Sequence, residues 1–177
     1  MVMVVVSLAL TVILLIRKKC SVYGAVALGL AVFTGLVLLD TAVLIRHLGL
    51  LRHGVGRNLG FALDRLLHGS EGARSEVISN LIVFIPFGFF LAEFLAAAPV
   101  SSAGPKSTTT RFGIGRRLGV AALTAFSLSL CIECLQLVLK VGFFEVTDLV
   151  MNTLGGFVGA LMSVGVRKVV GEKKHTL

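Results

Sequence analysis

The 177-residue chain contains no tryptophan and a single tyrosine, Tyr23. An aromatic belt of the kind that anchors many proteins at the lipid–water interface is therefore poorly represented. Charged residues are scarce too, at 15%, where soluble domains carry about 25%. That argues against a disordered charged tail and against a coiled coil. Three cysteines, Cys20, Cys131 and Cys134, supply no disulfide framework. No G-x-S-x-G, H-E-x-x-H or P-loop pattern occurs, and Gly54-x-Gly56-x-x-x-Gly60 has the wrong spacing for a dinucleotide loop. Of the four histidines, His47, His53 and His68 lie in one loop at irregular spacing, so neither a metal site nor a cofactor is expected. No motif that reads DNA or RNA accompanies the basic residues, and no nucleic-acid partner is expected.

What is abundant is apolar. Hydrophobic residues make up 56% of the chain and the mean hydropathy is +0.97. A soluble domain of this size could not bury so much apolar surface. Yet 17 Lys and Arg stand against 9 Asp and Glu, a net charge of +8. An apolar chain with many cations has to segregate them into loops, as polytopic membrane proteins do. The expectation is an all-α fold: one membrane domain over residues 1–177, a transmembrane bundle of about five helices.

Five apolar segments can be marked, at about Met1–Ile16, Tyr23–Ile45, Glu76–Ala98, Leu118–Leu139 and Asp148–Val170. The first spans only about 24 Å as a helix, short for a bilayer. Its positive charge, Arg17-Lys18-Lys19, follows the apolar run, whereas a signal peptide carries it before. An uncleaved anchor with the N-terminus outside fits better. Eleven of the 17 Lys and Arg then fall on the inner side and six on the outer, which sets the C-terminus in the cytoplasm. In the outer loop Arg46–Ser75, Leu59, Leu63, Leu66 and Leu67 recur at helical spacing, predicting a short interfacial helix. The inner stretch from Pro99 to Thr110 reads as a flexible linker.

Small residues recur every four positions at Gly155, Gly159 and Ser163, and at Ala27, Ala31 and Gly35, a spacing that lets helices approach closely in lipid. Pro86 lies inside the third segment and predicts a kink there. Cys131-x-x-Cys134 sits in an apolar helix, where it reads as packing.

Polar groups inside such helices are expensive, so each needs a reason. Glu76 and Asn80 in the third segment, Glu133 and Gln136 in the fourth, and Asp148 and Asn152 in the fifth all fall at the outer ends of their helices. Each pair is three or four residues apart, hence on one helix face. Ser129, Glu133, Gln136 and Lys140 form one polar stripe. Glu133, about 9 Å from the end of its segment, is the carboxylate most exposed to hydrocarbon and needs a partner; Lys140 and the loop arginines are candidates. Asp148 also suits a helix N-terminus. Glu93, in the inner half of its segment, is expected to snorkel inward in a structural role. Asn80, Glu133, Gln136, Asp148 and Asn152 form the candidate ligand-binding set; Glu133 and Asp148 would be the candidate catalytic groups if the protein is an enzyme.

At these residues the sequence resembles the VanZ-like family of bacterial membrane proteins. Asn80-Leu-Ile-Val-Phe-Ile-Pro86-Phe-Gly88 resembles the family's N-x-x-x-F-x-P-x-G helix. Glu133-Cys-Leu-Gln136, followed by Asp148-Leu-Val-Met-Asn152-Thr-Leu-Gly155, resembles its E-x-x-Q … D-x-x-x-N-x-x-G pattern. A weaker block is Asn58-Leu59-Gly60-Phe61, where relatives show N-L-x-P-F. The blocks lie within 58–159. One departure is Gly142, six residues after Gln136, where the family often has Arg; Lys140, two residues away, would be an unequal substitute.

The family takes its name from a protein associated with teicoplanin resistance. The resemblance implies a protein of the bacterial plasma membrane. Such a protein would bind membrane lipids and a lipid-linked or lipoglycopeptide ligand at the outer leaflet, and contribute to glycopeptide resistance. A membrane-embedded enzyme acting on a lipid headgroup, or a small transporter, are the alternatives; the absence of an inverted repeat weighs against the last.

Overall fold

The structure, a computed structural model, describes residues 2–16, 21–48, 54–55, 67–97, 113–140 and 143–173. Five α-helices make up almost all of this: α1 (Val2–Ile16), α2 (Val22–Leu48), α3 (Glu71–Ala97), α4 (Ile114–Val138) and α5 (Val146–Lys173). Two two-residue strands, β1 (Gly54–Val55) and β2 (Phe143–Phe144), pair in parallel, with Gly54 opposite Phe143 and Val55 opposite Phe144. The expected interfacial helix lies almost wholly outside the described residues, as do the linker from Pro99 to Thr110, Gly142 and the Asn58–Phe61 block.

Four helices are long and apolar enough to cross a membrane, over Val22–Asp40, Val77–Ala97, Ile114–Val138 and Val146–Val170. The 15 residues of α1 extend about 22 Å, less than the roughly 30 Å of a hydrocarbon core. It lies antiparallel to α2. The Thr11 hydroxyl donates to the Ser7 carbonyl at 2.8 Å and reaches the Ala25 carbonyl at 3.5 Å. Gly29 leaves the room for that contact, since a Cβ there would collide with the Thr11 hydroxyl.

The partition of side chains is inverted relative to a soluble protein. Leu123, Ile82, Leu161, Met162 and Val138 are uncovered by protein. Glu93, Arg117, Ser129, Glu133, Gln136, Asp148, Asn152 and Ser163 are buried. Hydrocarbon tolerates an exposed leucine and penalises an exposed carboxylate, so the bundle turns its polar groups inward. Between them lies an apolar layer of Phe84, Phe87, Leu91, Ala92, Leu95, Ala121, Ala125, Ile132 and Ala160.

Lipid tails are as apolar as leucine, so helices associate through van der Waals contact and hydrogen bonds rather than a hydrophobic drive. The glycines of α5 supply that contact. A Cβ at Gly155 would strike the Leu81 carbonyl oxygen, one at Gly159 the Ile85 carbonyl oxygen and the Phe89 nitrogen at 2.8 Å, and one at Gly88 the backbone of Gly156. Backbone therefore meets backbone along α3 and α5, which run parallel. Gly156 faces the other way, onto Ala125 of α4. The expected stripe of Gly155, Gly159 and Ser163 is thus a helix contact, and Ala27 and Ala31 are likewise buried. Helix α3 runs through Pro86, which points away from the bundle. Cys131 and Cys134 are free and exposed on the apolar surface of α4. The inward face of that helix is taken by Ser129, Ile132, Glu133 and Gln136.

A methyl group at Gly159 has nowhere to go, whereas Gly165 of the same helix has open space around it. Gly159→Ala is expected to lower thermal stability in detergent by about 1–3 kcal/mol. Gly165→Ala should be neutral or gain up to about 1 kcal/mol. Equal effects in a thermal-unfolding comparison would contradict the close α3–α5 approach.

Candidate functional site

The C-terminal end of α4 and the N-terminal end of α5 meet through polar side chains. Ser129, Glu133 and Gln136 recur at helical spacing on one face of α4, all buried, with Glu133 only 1% exposed. Asp148 and Asn152, one turn apart on α5, are buried opposite them. The Asn152 amide donates to Ser129 Oγ at 2.9 Å, joining the two helices.

Glu133 is held in a different way from the Lys140 pairing anticipated above. Its Oε2 accepts the backbone N–H of Glu145 at 2.8 Å. Glu145 immediately precedes α5, and its own carbonyl accepts the N–H groups of Asp148 at 3.1 Å and Leu149 at 3.3 Å. In a capping box a carboxylate three residues into a helix returns to the amide that starts it. Here that position belongs to Asp148, but a carboxylate from a neighbouring helix makes the contact. Glu133 therefore sits at the N-terminus of α5, where the helix dipole favours an anion. Asp148 adds a second carboxylate in the same first turn.

Lys140 is exposed and adopts a left-handed conformation, with φ at 56°. It serves as the turn that ends α4, its N–H donating to the Leu137 carbonyl at 3.2 Å. The arginines between 46 and 65 lie outside the described residues, as does the side chain of Glu76. Arg74 donates to the Leu67 carbonyl at 3.1 Å. The β1–β2 pairing brings Gly54–Val55, from the same outer loop, alongside Phe143–Phe144, directly before Glu145.

Asn80 reaches this end from α3. The contact of Gly155 with Leu81 and Phe84 sets the α3–α5 register, and it places Asn80 within about one turn of the level of Asn152. Among the described residues, Asn80 Nδ2 and Asn152 Oδ1 are buried without a hydrogen-bond partner, one a donor and the other an acceptor. An unmet buried polar atom costs about 1–3 kcal/mol. The site can therefore hold hydroxyl, amide or ammonium groups through two carboxylates, amides and a serine hydroxyl. No group of three His, Cys, Asp or Glu side chains able to hold a metal occurs among the described residues.

A model of the VanZ/LLP1 family matches residues 2–167. This chain belongs to the VanZ/LLP1 family. The match extends past both ends of the 58–159 blocks and takes in all five helices. Among curated proteins, the chain is similar to Protein VanZ of Enterococcus faecium, with 31% identity over 107 residues. Those residues are 59% of this chain and 54% of that protein, so the chain spans about half the length of the curated relative it matches. No solved structure matches.

In this family member the opposite end of the bundle holds a second polar cluster, which the sequence reading passed over. Glu93 has a structural role, as expected, but does not snorkel toward the inner interface; it is 2% exposed and serves as a hub. Its Oε1 accepts Ser163 Oγ at 2.6 Å, and its Oε2 accepts Arg167 Nε at 2.9 Å and the hydroxyl of Tyr23. Arg167 Nη2 closes an ion pair to Oε2 at 2.8 Å and also reaches the Glu93 carbonyl at 3.3 Å. The guanidinium lies 5.4 Å from the centroid of the Tyr23 ring, within cation–π range. Arg167, counted above as a topology-setting charge, is thus a structural partner. Ser163 continues the glycine stripe by one turn and adds a donor to it. The available signal was the pattern Gly159, Ser163, Arg167 at four-residue steps, opposite a lone in-membrane Glu.

The Arg167 side chain is 30% exposed and that of Glu93 only 3%. Removing the arginine strands a buried carboxylate, whereas neutralising the acid leaves a guanidinium with access to water. Arg167→Ala should therefore cost about 2–3 kcal/mol, and Glu93→Gln distinctly less. Unfolding midpoints of the two variants in one detergent check the ranking; the reverse order would contradict it.

Proposed function

We propose that this VanZ/LLP1-family membrane protein binds the polar head of a lipid-linked or amphipathic ligand at the outer face of the bacterial plasma membrane. On this reading it contributes to resistance against teicoplanin or a related lipoglycopeptide. The observation that carries the proposal is the burial of Glu133, Gln136, Asp148 and Asn152 at one end of an otherwise apolar bundle, with Asn80 at the same level. Helices that needed only to be held together would not require two carboxylates there, since an ionised group in hydrocarbon is costly. The excess of Lys and Arg on the opposite side supports an orientation with the N-terminus outside and the C-terminus in the cytoplasm. The relative from Enterococcus faecium carries the VanZ name, which supports the link to glycopeptides.

Susceptibility to a panel of lipoglycopeptides provides the test. Cells would lack the protein, carry it, or carry Glu133→Ala or Asp148→Ala at matched membrane levels. The wild type is expected to raise the inhibitory concentration of at least teicoplanin, and each variant to return it toward that of cells lacking the protein. Unchanged susceptibility in both variants would overturn the reading.

A further inference from the structure

Arg117 is the buried charge for which the preceding sections give no role. It lies in the first turn of α4 and is 6% exposed. Among the described residues its Nε has no hydrogen-bond partner. It lies within electrostatic range of Arg167, which repels it, and of Glu93, which attracts it.

Glu93 cannot serve as its full counter-ion. Both carboxylate oxygens are already engaged, one by Ser163 and the other by Arg167 and Tyr23. Among the described residues two guanidiniums therefore share one saturated carboxylate, and a positive charge is left over beside it. The start of α4 compounds this. Its first turn holds no acidic residue, and Gly113 caps it without a side-chain hydrogen bond. A helix N-terminus is the positive end of its dipole and presents amide donors without intrahelical partners, so cations there are unfavourable and anions favourable. A positive-inside bias accounts for surface cations such as Lys168. It does not account for an arginine withdrawn from water with a donor unmet.

These features share one missing element, an anion with several acceptor oxygens. We propose that Arg117, with Arg167 and the first turn of α4, binds the phosphate of an anionic phospholipid headgroup at the end of the bundle where α4 begins. Arginine suits that task because its planar fork matches phosphate oxygens. Basic pockets between helices at a membrane face are where such headgroups bind. The site lies at the opposite end from the candidate ligand site and does not depend on it.

The test uses the purified full-length protein in neutral detergent, with phosphatidylglycerol, phosphatidylcholine or inorganic phosphate added. Unfolding midpoints and retained lipid adducts by native mass spectrometry are the readouts. Phosphatidylglycerol should raise the midpoint and stay bound, while phosphatidylcholine at the same concentration should not. Arg117→Gln should lose about tenfold in phosphatidylglycerol affinity, while Lys168→Gln stays within about twofold of wild type. Without added lipid, Arg117→Gln should be at least as stable as wild type, because it removes an uncompensated buried charge. If inorganic phosphate alone reproduces the effect in wild type and not in Arg117→Gln, phosphate recognition stands and its source is soluble.

Equal weakening by Arg117→Gln and Lys168→Gln would point to diffuse surface charge and overturn the site. So would undiminished lipid binding by Arg117→Gln, or lower stability of that variant in neutral detergent without lipid, which would mean that the arginine is already paired within the chain. Should Arg117→Gln not fold, Arg117→Lys decides: it keeps the charge and loses the fork, and an unchanged phosphatidylglycerol affinity would refute the proposal.

Discussion

Parallel packing of α3 on α5, with glycine backbone against carbonyl backbone, is the constraint on which both polar clusters depend. Gly88, Gly155 and Gly159 leave no side-chain layer between the helices over their middle turns. The contact fixes their axial register and their rotation together. Toward one end the register brings Asn80 level with Asn152. Toward the other it brings Glu93 onto Ser163 and Arg167. A slip of one residue would rotate these groups by about 100° and undo both arrangements. The same helix turns Gly156 toward Ala125, so α4 approaches from a second side and Ser129 meets Asn152.

The two ends are polar for different reasons. Around Glu93 the carboxylate is saturated by donors from two other helices, and a buried acid so fully engaged acts as a bolt. At the end where α4 stops and α5 begins, a carboxylate of α4 holds the amide that begins α5, while an asparagine donor and an asparagine acceptor remain unmet among the described residues. A bundle in lipid gains little from apolar burial between helices, so such hydrogen bonds and ion pairs carry a large share of the specificity. They also mark where further chemistry can be accommodated.

Much of the fold was legible in the sequence because lipid makes the signal simple: a run long enough and apolar enough must cross as a helix. The segments marked at Tyr23–Ile45, Glu76–Ala98, Leu118–Leu139 and Asp148–Val170 correspond to α2, α3, α4 and α5. Glu133, Gln136, Asp148 and Asn152 stood out for the same reason, as polar residues in apolar runs. Their partners did not. That Glu133 caps α5 depends on how the chain turns after Leu139, which no helical period encodes. Glu93 looked like a snorkelling side chain because Tyr23, Ser163 and Arg167 lie about 70 residues away in the chain. The exposure of Cys131 and Cys134 was not legible, because an apolar helix gives little indication of which face meets lipid and which meets protein.

The span of chain closed by each contact implies an order of assembly. Ser129 to Asn152 and Glu133 to Glu145 lie 23 and 12 residues apart, within a single helical hairpin of α4 and α5. Once those two helices are inserted, these two contacts can form with no other helix present. The Glu93 cluster closes across 70 to 74 residues and draws on α2, α3 and α5, with Arg117 of α4 beside it. It is complete only when every one of the four long helices has been threaded and docked. The hub around Glu93 is therefore a record of finished assembly, and a chain truncated or misinserted anywhere among those helices would carry an unpaired charge inside the membrane as its mark.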